Sequence, residues 1–197
     1  MIKIKKIKNM IVGLCGKKQA GKSTVALGLV ADHGFVELSY AGPLKRACAA
    51  IFGFTDEQLN GALKEVPDVR WGVSPRQVMQ RFGTDLMRKY ANLVVPIKNP
   101  EDIWLVVMSK QIAAIDTKHI VISDVRFQNE ANQVREFGGT LVRIERPAAA
   151  DASQGDASDM HASEACDFPA DFTVVNDGTP SELLIKVFKI MAVIQDG

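Results

Sequence analysis

Residues 10–26 read MIVGLCGKKQAGKSTVA, and the organisation of the whole chain turns on them. An apolar, β-rich run (10–15) meets a glycine-bounded turn, and a helical pattern follows, ending near Gly34. Gly16 to Ser23 fit G-x-x-x-x-G-K-[ST] in full, at a strand–helix junction, which predicts a loop built for nucleotide phosphates. The glycines let backbone N–H groups turn inward around phosphate oxygens, and the helix N-terminus adds partial positive charge. Lys22 is expected to bridge the β- and γ-phosphates, and Ser23 to place its hydroxyl on Mg²⁺. Lys17 and Lys18 are surplus to that task.

Outward from this loop, further β-rich runs lie at 119–124 (HIVISD), 140–146 (TLVRIER) and 172–177 (FTVVND), with a weaker one at 35–39 (FVELS). Helical start signals fall between them. Ser74-Pro75-Arg76-Gln77 combines an N-cap serine with proline at the first helical position, predicting a helix to about Ala91. Asn99-Pro100-Glu101-Asp102 opens another, with Trp104, Val107, Met108, Ile112 and Ile115 on one face. Thr179-Pro180-Ser181-Glu182 caps a last helix carrying Leu183, Leu184, Val187, Ile190 and Met191. Strands alternating with helices predict an α/β fold: a five-stranded, mainly parallel sheet flanked by helices. Residues 43–115 hold helices and no convincing strand, a helical insertion between the second and third strands. A Gly-Pro turn at 42–43 is expected ahead of its first helix. Residues 147–170, rich in Ala, Asp and Ser, suit either a lid loop or a plain surface insertion.

A chain of 197 residues fits one domain with a small inserted lobe, here taken as 1–197. With 47% hydrophobic and 24% charged residues it can bury a sizeable core. A net charge of +1 argues against a dedicated nucleic-acid binder. The three cysteines, Cys15, Cys48 and Cys166, have no paired spacing and suit a reducing cytosol. The Ile/Lys alternation before Met10 is expected to be a frayed or edge strand, its apolar part too short for a secretion signal. No stretch has the length of a membrane span, so a cytoplasmic protein without membrane or nucleic-acid partners is expected. His33, His119 and His161 are scattered, without zinc-ligand spacing.

An acid at the end of a parallel strand neighbouring the phosphate loop faces the same crevice. Asp124 closes HIVISD and is the candidate: it can hold Mg²⁺ directly or through water, orient a substrate, or cap the next turn. Cationic groups gather elsewhere: Lys45 and Arg46 after strand two, then Arg70, Arg76, Arg81 and Arg88 in the insertion. Trp71 adds a flat apolar surface, and Arg126, Asn129 and Glu130 follow Asp124. Two phosphorylated substrates meeting head to head need such charge, because phosphoryl transfer is catalysed chiefly by positioning and electrostatics.

The segments GKKQAGKST, AGPLK, RQVMQRFGTDL, DVRFQNEA, GGTLVRIERP, HASE and VVNDGTPSEL occur in this order. In them the chain resembles the phage-type deoxynucleoside monophosphate kinases, relatives of the wider nucleoside monophosphate kinases, over nearly its whole length. The resemblance implies a P-loop kinase fold with a helical substrate-binding insertion and a lid. It implies transfer of the γ-phosphate of ATP to a dNMP, with ATP and Mg²⁺ as cofactors and small nucleotides as partners. Carried over by position, Gly16, Ala20, Gly21, Lys22, Ser23 and Thr24 would hold the ATP phosphates, and Lys18 and Lys45 would reach the acceptor phosphate. Arg70, Trp71, Arg76 and Gln80 would line the acceptor pocket above Gly83, Thr84 and Asp85. Asp124 and Arg126 would stand between the substrates, Glu130 would orient, and Glu164 would close from the lid. Asn176, Asp177 and Gly178 would lie against adenine. A homodimer is plausible by the same resemblance. Two alternatives stay open on sequence: a kinase for another small acceptor, such as dephospho-coenzyme A, and a nucleotide-binding module without an acceptor.

Overall fold

The computed structural model describes residues 10–116, 119–147 and 166–196. The Lys-rich start, His161, Glu164 and residues 148–165 of the expected lid lie outside the described residues. In chain order the elements begin with β1 (Met10–Cys15), α1 (Lys22–His33), β2 (Val36–Leu38), α2 (Ala41–Phe52) and α3 (Asp56–Asn60). Next come α4 (Pro75–Gln80), a π-helical stretch (Arg81–Met87), α5 (Arg88–Tyr90) and α6 (Ile103–Ala113). The chain continues through β3 (His119–Ile122), α7 (Gln128–Glu136), β4 (Thr140–Glu145), β5 (Phe172–Val175) and α8 (Pro180–Asp196).

Val12, Leu14 and Cys15 of β1 are wholly buried. A strand covered on both faces belongs inside a parallel sheet, and β1 takes the middle of the order β2-β3-β1-β4-β5. Among the described residues every pairing is parallel. Alternate residues of the strands sort to the two faces, as the pleat demands. Val12, Leu14, Val121, Val142, Ile144 and Val174 share one core with Val25 and Leu29 of α1 and Leu183, Val187 and Met191 of α8. Each fully buried aliphatic side chain contributes about 1.5–3 kcal/mol. On the other face Gly13 lets Leu141, Val125 and Val134 close in; a Cβ there would lie 2.9–3.1 Å from them. From β1 the chain crosses to β2 on one side, and from β3 to β4 on the other. The phosphate loop therefore opens at the switch point where such sheets bind ligands.

The chain forms two compact units, one of Ser39–Ile112 and one of the remainder. Among the described residues of the Ser39–Ile112 unit every regular element is helical. Its core joins Cys48, Phe54, Leu59 and Met79. Two local expectations change. The Gly-Pro pair does not precede a helix but sits in the first turn of α2, which starts at Ala41. Proline is tolerated there because first-turn N–H groups have no intrahelical acceptor. The helix from Ser74 starts as expected, with Ser74 accepting from the Gln77 N–H. It then widens into the π-helical stretch and ends in a 3₁₀ turn, Ala91–Leu93. α6 stops at Ala113, so Ile115 lies beyond its apolar face. Among the described residues no helix is long and apolar enough to cross a membrane.

Candidate functional site

The phosphate loop joins β1 to α1 in a shape glycine makes possible. Gly16 has φ +130°, and a Cβ on it would meet the Ile144 carbonyl oxygen at 2.1 Å. Lys22, the first residue of α1, folds back over the loop: its Nζ donates to the Gly16 and Lys17 carbonyls at 2.7 and 2.6 Å. Other loop carbonyls are also engaged, Gln19 by Arg146 at 3.5 Å and Ala20 by Asn176 at 2.8 Å. Within the loop the Ala20 N–H also donates to the Lys17 carbonyl, at 3.3 Å.

Asp124 and Arg126 reach the same region because the Val125 N–H donates to the Leu14 carbonyl at 3.0 Å, fastening the turn after β3 to the end of β1. Glu130 fixes that turn from below. It is 2% exposed, and its Oε2 accepts from the backbone N–H groups of Arg126 at 2.8 Å and Phe127 at 3.2 Å. A carboxylate so buried needs such donors. Burial, and then the charge of Arg126, push the Lys22 ammonium below its usual pKa; Cys166, Cys15 and Asp124 pull the other way. Two cations held together in a partly desolvated place repel, and a polyphosphate relieves them. The loop's donors, these cations, the exposed Ser23 hydroxyl and the Asp124 carboxylate fit a magnesium-bound triphosphate.

A cavity of about 270 Å³ opens beside the loop, lined by Gly16, Lys17, Lys18, Ala20, Arg143, Ile144, Glu145, Arg146 and Cys166. Both surplus lysines are exposed and line it. Arg143 and Arg146 escaped the sequence reading. Their signal was there: Arg143 interrupts the buried run of β4, an anomaly for a strand covered on both faces. Arg143 donates to the Phe168 carbonyl and lies 5.7 Å from the Phe168 ring centre. Burial pushes the Cys15 thiol up to about 11, so beneath the loop it stays a neutral packing group.

In the helical unit the expected acceptor residues are engaged locally. Lys45 Nζ donates to Asn60 Oδ1 at 2.7 Å, and Arg76 Nη1 pairs with Glu65 at 3.1 Å. Arg70 clasps Asp68 with Nε at 2.9 Å and Nη2 at 2.6 Å, and Nη2 also reaches the Gly53 carbonyl. Gln58 Nε2 completes the set on Asp68 at 2.7 Å. Asp68 is 6% exposed, and these bonds, Arg70's first, hold its carboxyl well below the usual range. Sequence reasoning missed Asp68, since an acid two residues before an arginine is commonplace. Trp71, 48% exposed, is braced by Nε1 donating to the Phe52 carbonyl at 3.1 Å and by an edge contact with the Phe52 ring. Gln80 and Thr84 are half-buried on the helix that holds Gly83, whose carbonyl accepts from Trp104 Nε1 at 3.1 Å. Asp85 is exposed and pairs with Lys89 at 3.4 Å. Around β5, Asp177 pairs with Lys186 at 2.5 Å, and Gly178 lies under the Glu182 carboxylate.

Shikimate kinase from Aquifex aeolicus superposes with a TM-score of 0.55 at 17% identity, covering 95% of this chain and 99% of that one, which shows the shared P-loop kinase fold. A protein of Escherichia phage T5, a deoxynucleoside-5′-monophosphate kinase, is 39% identical over 64 residues, 32% of this chain and 22% of its own. A protein of Acanthamoeba polyphaga mimivirus described as a deoxynucleotide monophosphate kinase is 40% identical over 166 residues, 79% of this chain and 80% of that one. The profile of the deoxynucleotide monophosphate kinase family matches residues 54–187, beginning after the phosphate loop. Loop, sheet and matched segments agree, and the chain belongs to the deoxynucleotide monophosphate kinase family.

Proposed function

We propose that the protein transfers the γ-phosphoryl group of ATP to the 5′-phosphate of a deoxynucleoside monophosphate, giving ADP and the deoxynucleoside diphosphate. The observation that carries this reading is the desolvated Lys22 beside Arg126 on a phosphate loop, in a chain of this family. In the reaction the bond from the γ-phosphorus to the β–γ bridging oxygen breaks, and one to an acceptor phosphate oxygen forms. Lys22 and the N–H groups of Gly16, Ala20, Gly21, Ser23 and Thr24 hold the donor phosphates. Ser23 and Asp124 would hold Mg²⁺, which would supply positive charge to the donor phosphates. Lys18 and Arg126 offset the repulsion between donor and acceptor anions, and Asp124 orients the acceptor.

On the acceptor side Lys45 and Arg76 bind the monophosphate and Trp71 offers its face to the base, with Gln80, Gly83 and Thr84 forming the pocket floor. Arg70, with Nε and Nη2 given to Asp68, offers its Nη1 edge. Glu130 acts through the backbone of Arg126 rather than by touching substrate. The reaction belongs to the cytoplasm, where ATP and nucleotides are plentiful. A coupled assay with Mg-ATP and each of the four dNMPs, with the ribonucleotides and dephospho-coenzyme A as comparisons, tests the proposal. ADP release with at least one dNMP is expected. Release with none of the four overturns it.

A further inference from the structure

The family resemblance sets Asn176 against adenine, yet its amide nitrogen is engaged inside the phosphate loop. Directly after β5, the Asn176 N–H donates to the Glu145 carbonyl at 2.6 Å, extending the β4–β5 pairing and fixing where the side chain points. Its Nδ2 donates to the Ala20 carbonyl at 2.8 Å, across 156 residues of sequence, and the residue is only 9% exposed. A carbonyl only accepts, so the nearer amide atom must be the nitrogen. Ala20 is inside the phosphate loop, and the neighbouring Gly21 is shaped around the same amide: a Cβ there would lie 2.7 Å from Nδ2. An anion cradle works only while its carbonyls stay turned away from the phosphates. Lys22 and Arg146 hold three of these carbonyls with long, flexible side chains, whereas Asn176 holds its own with a short, buried one.

We infer that Asn176 is a positioning residue that sets the conformation of the phosphate loop and makes no use of the adenine base. The inference rests on the proposed function only in taking the loop as the triphosphate site. Aspartate is the informative replacement. It keeps the shape but cannot donate, and it sets a negative charge against the Ala20 carbonyl.

The two readings separate with a ligand that has no base. Calorimetric titration of wild type, Asn176→Asp and Asn176→Ala with Mg-ATP and with Mg-tripolyphosphate gives the comparison, beside thermal melts. Both variants are expected to weaken ATP and tripolyphosphate by the same factor, about tenfold for a lost buried hydrogen bond. The ATP-over-GTP preference and dNMP affinity are expected to stay as in wild type. Weakened ATP with wild-type tripolyphosphate binding makes Asn176 an adenine contact and overturns the inference. Lowered melting temperature with both affinities intact overturns it too, leaving a purely structural role. If wild type itself binds neither polyphosphate, the phosphate-loop reading falls, and the inference with it.

Discussion

Replacing Gly16 by alanine tests whether contact with β4 dictates the shape of the phosphate loop. A Cβ built there lies 2.1 Å from the Ile144 carbonyl oxygen, with the Ile144 carbonyl carbon at 3.2 Å and its nitrogen at 3.4 Å. These are backbone atoms of a strand paired on both sides, so they have little room to retreat. The residue also sits at φ +130°, which costs a side-chain-bearing residue about 1–3 kcal/mol. Relieving the overlap adds about 1–3 kcal/mol, for a total of about 2–6 kcal/mol. In a chain of this length each kcal/mol lowers Tm by about 2–4 °C, so a fall of about 4–24 °C is expected. Gly34→Ala is the control: φ is +66°, with nothing within 4 Å of the added atom. It carries the left-handed backbone cost alone, about 1–2 kcal/mol. Circular-dichroism melts of wild type and both variants, with and without Mg-ATP, provide the assay. Gly16→Ala should melt well below Gly34→Ala and lose its stabilisation by ATP, which Gly34→Ala should keep. Melting of the two variants within about 2 °C of one another, with ATP stabilisation intact in both, would refute the reasoning.

Two further outcomes follow from the electrostatics. Lys22→Met should abolish turnover while leaving Tm unchanged or raised, because burial and Arg126 both oppose the lysine's charge in the folded protein; retained turnover contradicts its assignment to the donor phosphates. Asp68→Asn should lower Tm at pH 7 and do so less in acid. The folded carboxyl titrates below the ordinary 3.8, so its stabilisation is complete above about pH 4 and lost as pH falls through the folded value. A difference in Tm between wild type and Asp68→Asn that stays constant from pH 7 down to about pH 2 would show that the Arg70 clasp contributes nothing.

The sheet was legible because its signals are local. MIVGLC, HIVI, TLVRIE and FTVV are short apolar runs whose pleat sorts side chains by two, and each became a strand. The N-caps at Ser74 and Thr179 were legible for the same reason, since a cap and its partner are three residues apart. The π-helical widening at Arg81–Met87 was not, because it has no periodicity of its own. It coincides instead with Trp104 reaching back 21 residues to the Gly83 carbonyl and with Leu44 crowding the face of Gly83.

For the site, the sequence by itself determined the chemistry of the phosphate loop: its glycines, Lys22 and Ser23, in a fixed spacing between a strand and a helix. That is possible because one short stretch of backbone makes most of the cradle. Tertiary structure alone decided what the outlying side chains hold. Arg143 meets Phe168, 25 residues away, and Asn176 takes the carbonyl of Ala20. A polar side chain bonds to whatever the fold brings within about 3 Å. When the partners stand up to 156 residues apart, spacing along the chain carries no trace of the choice.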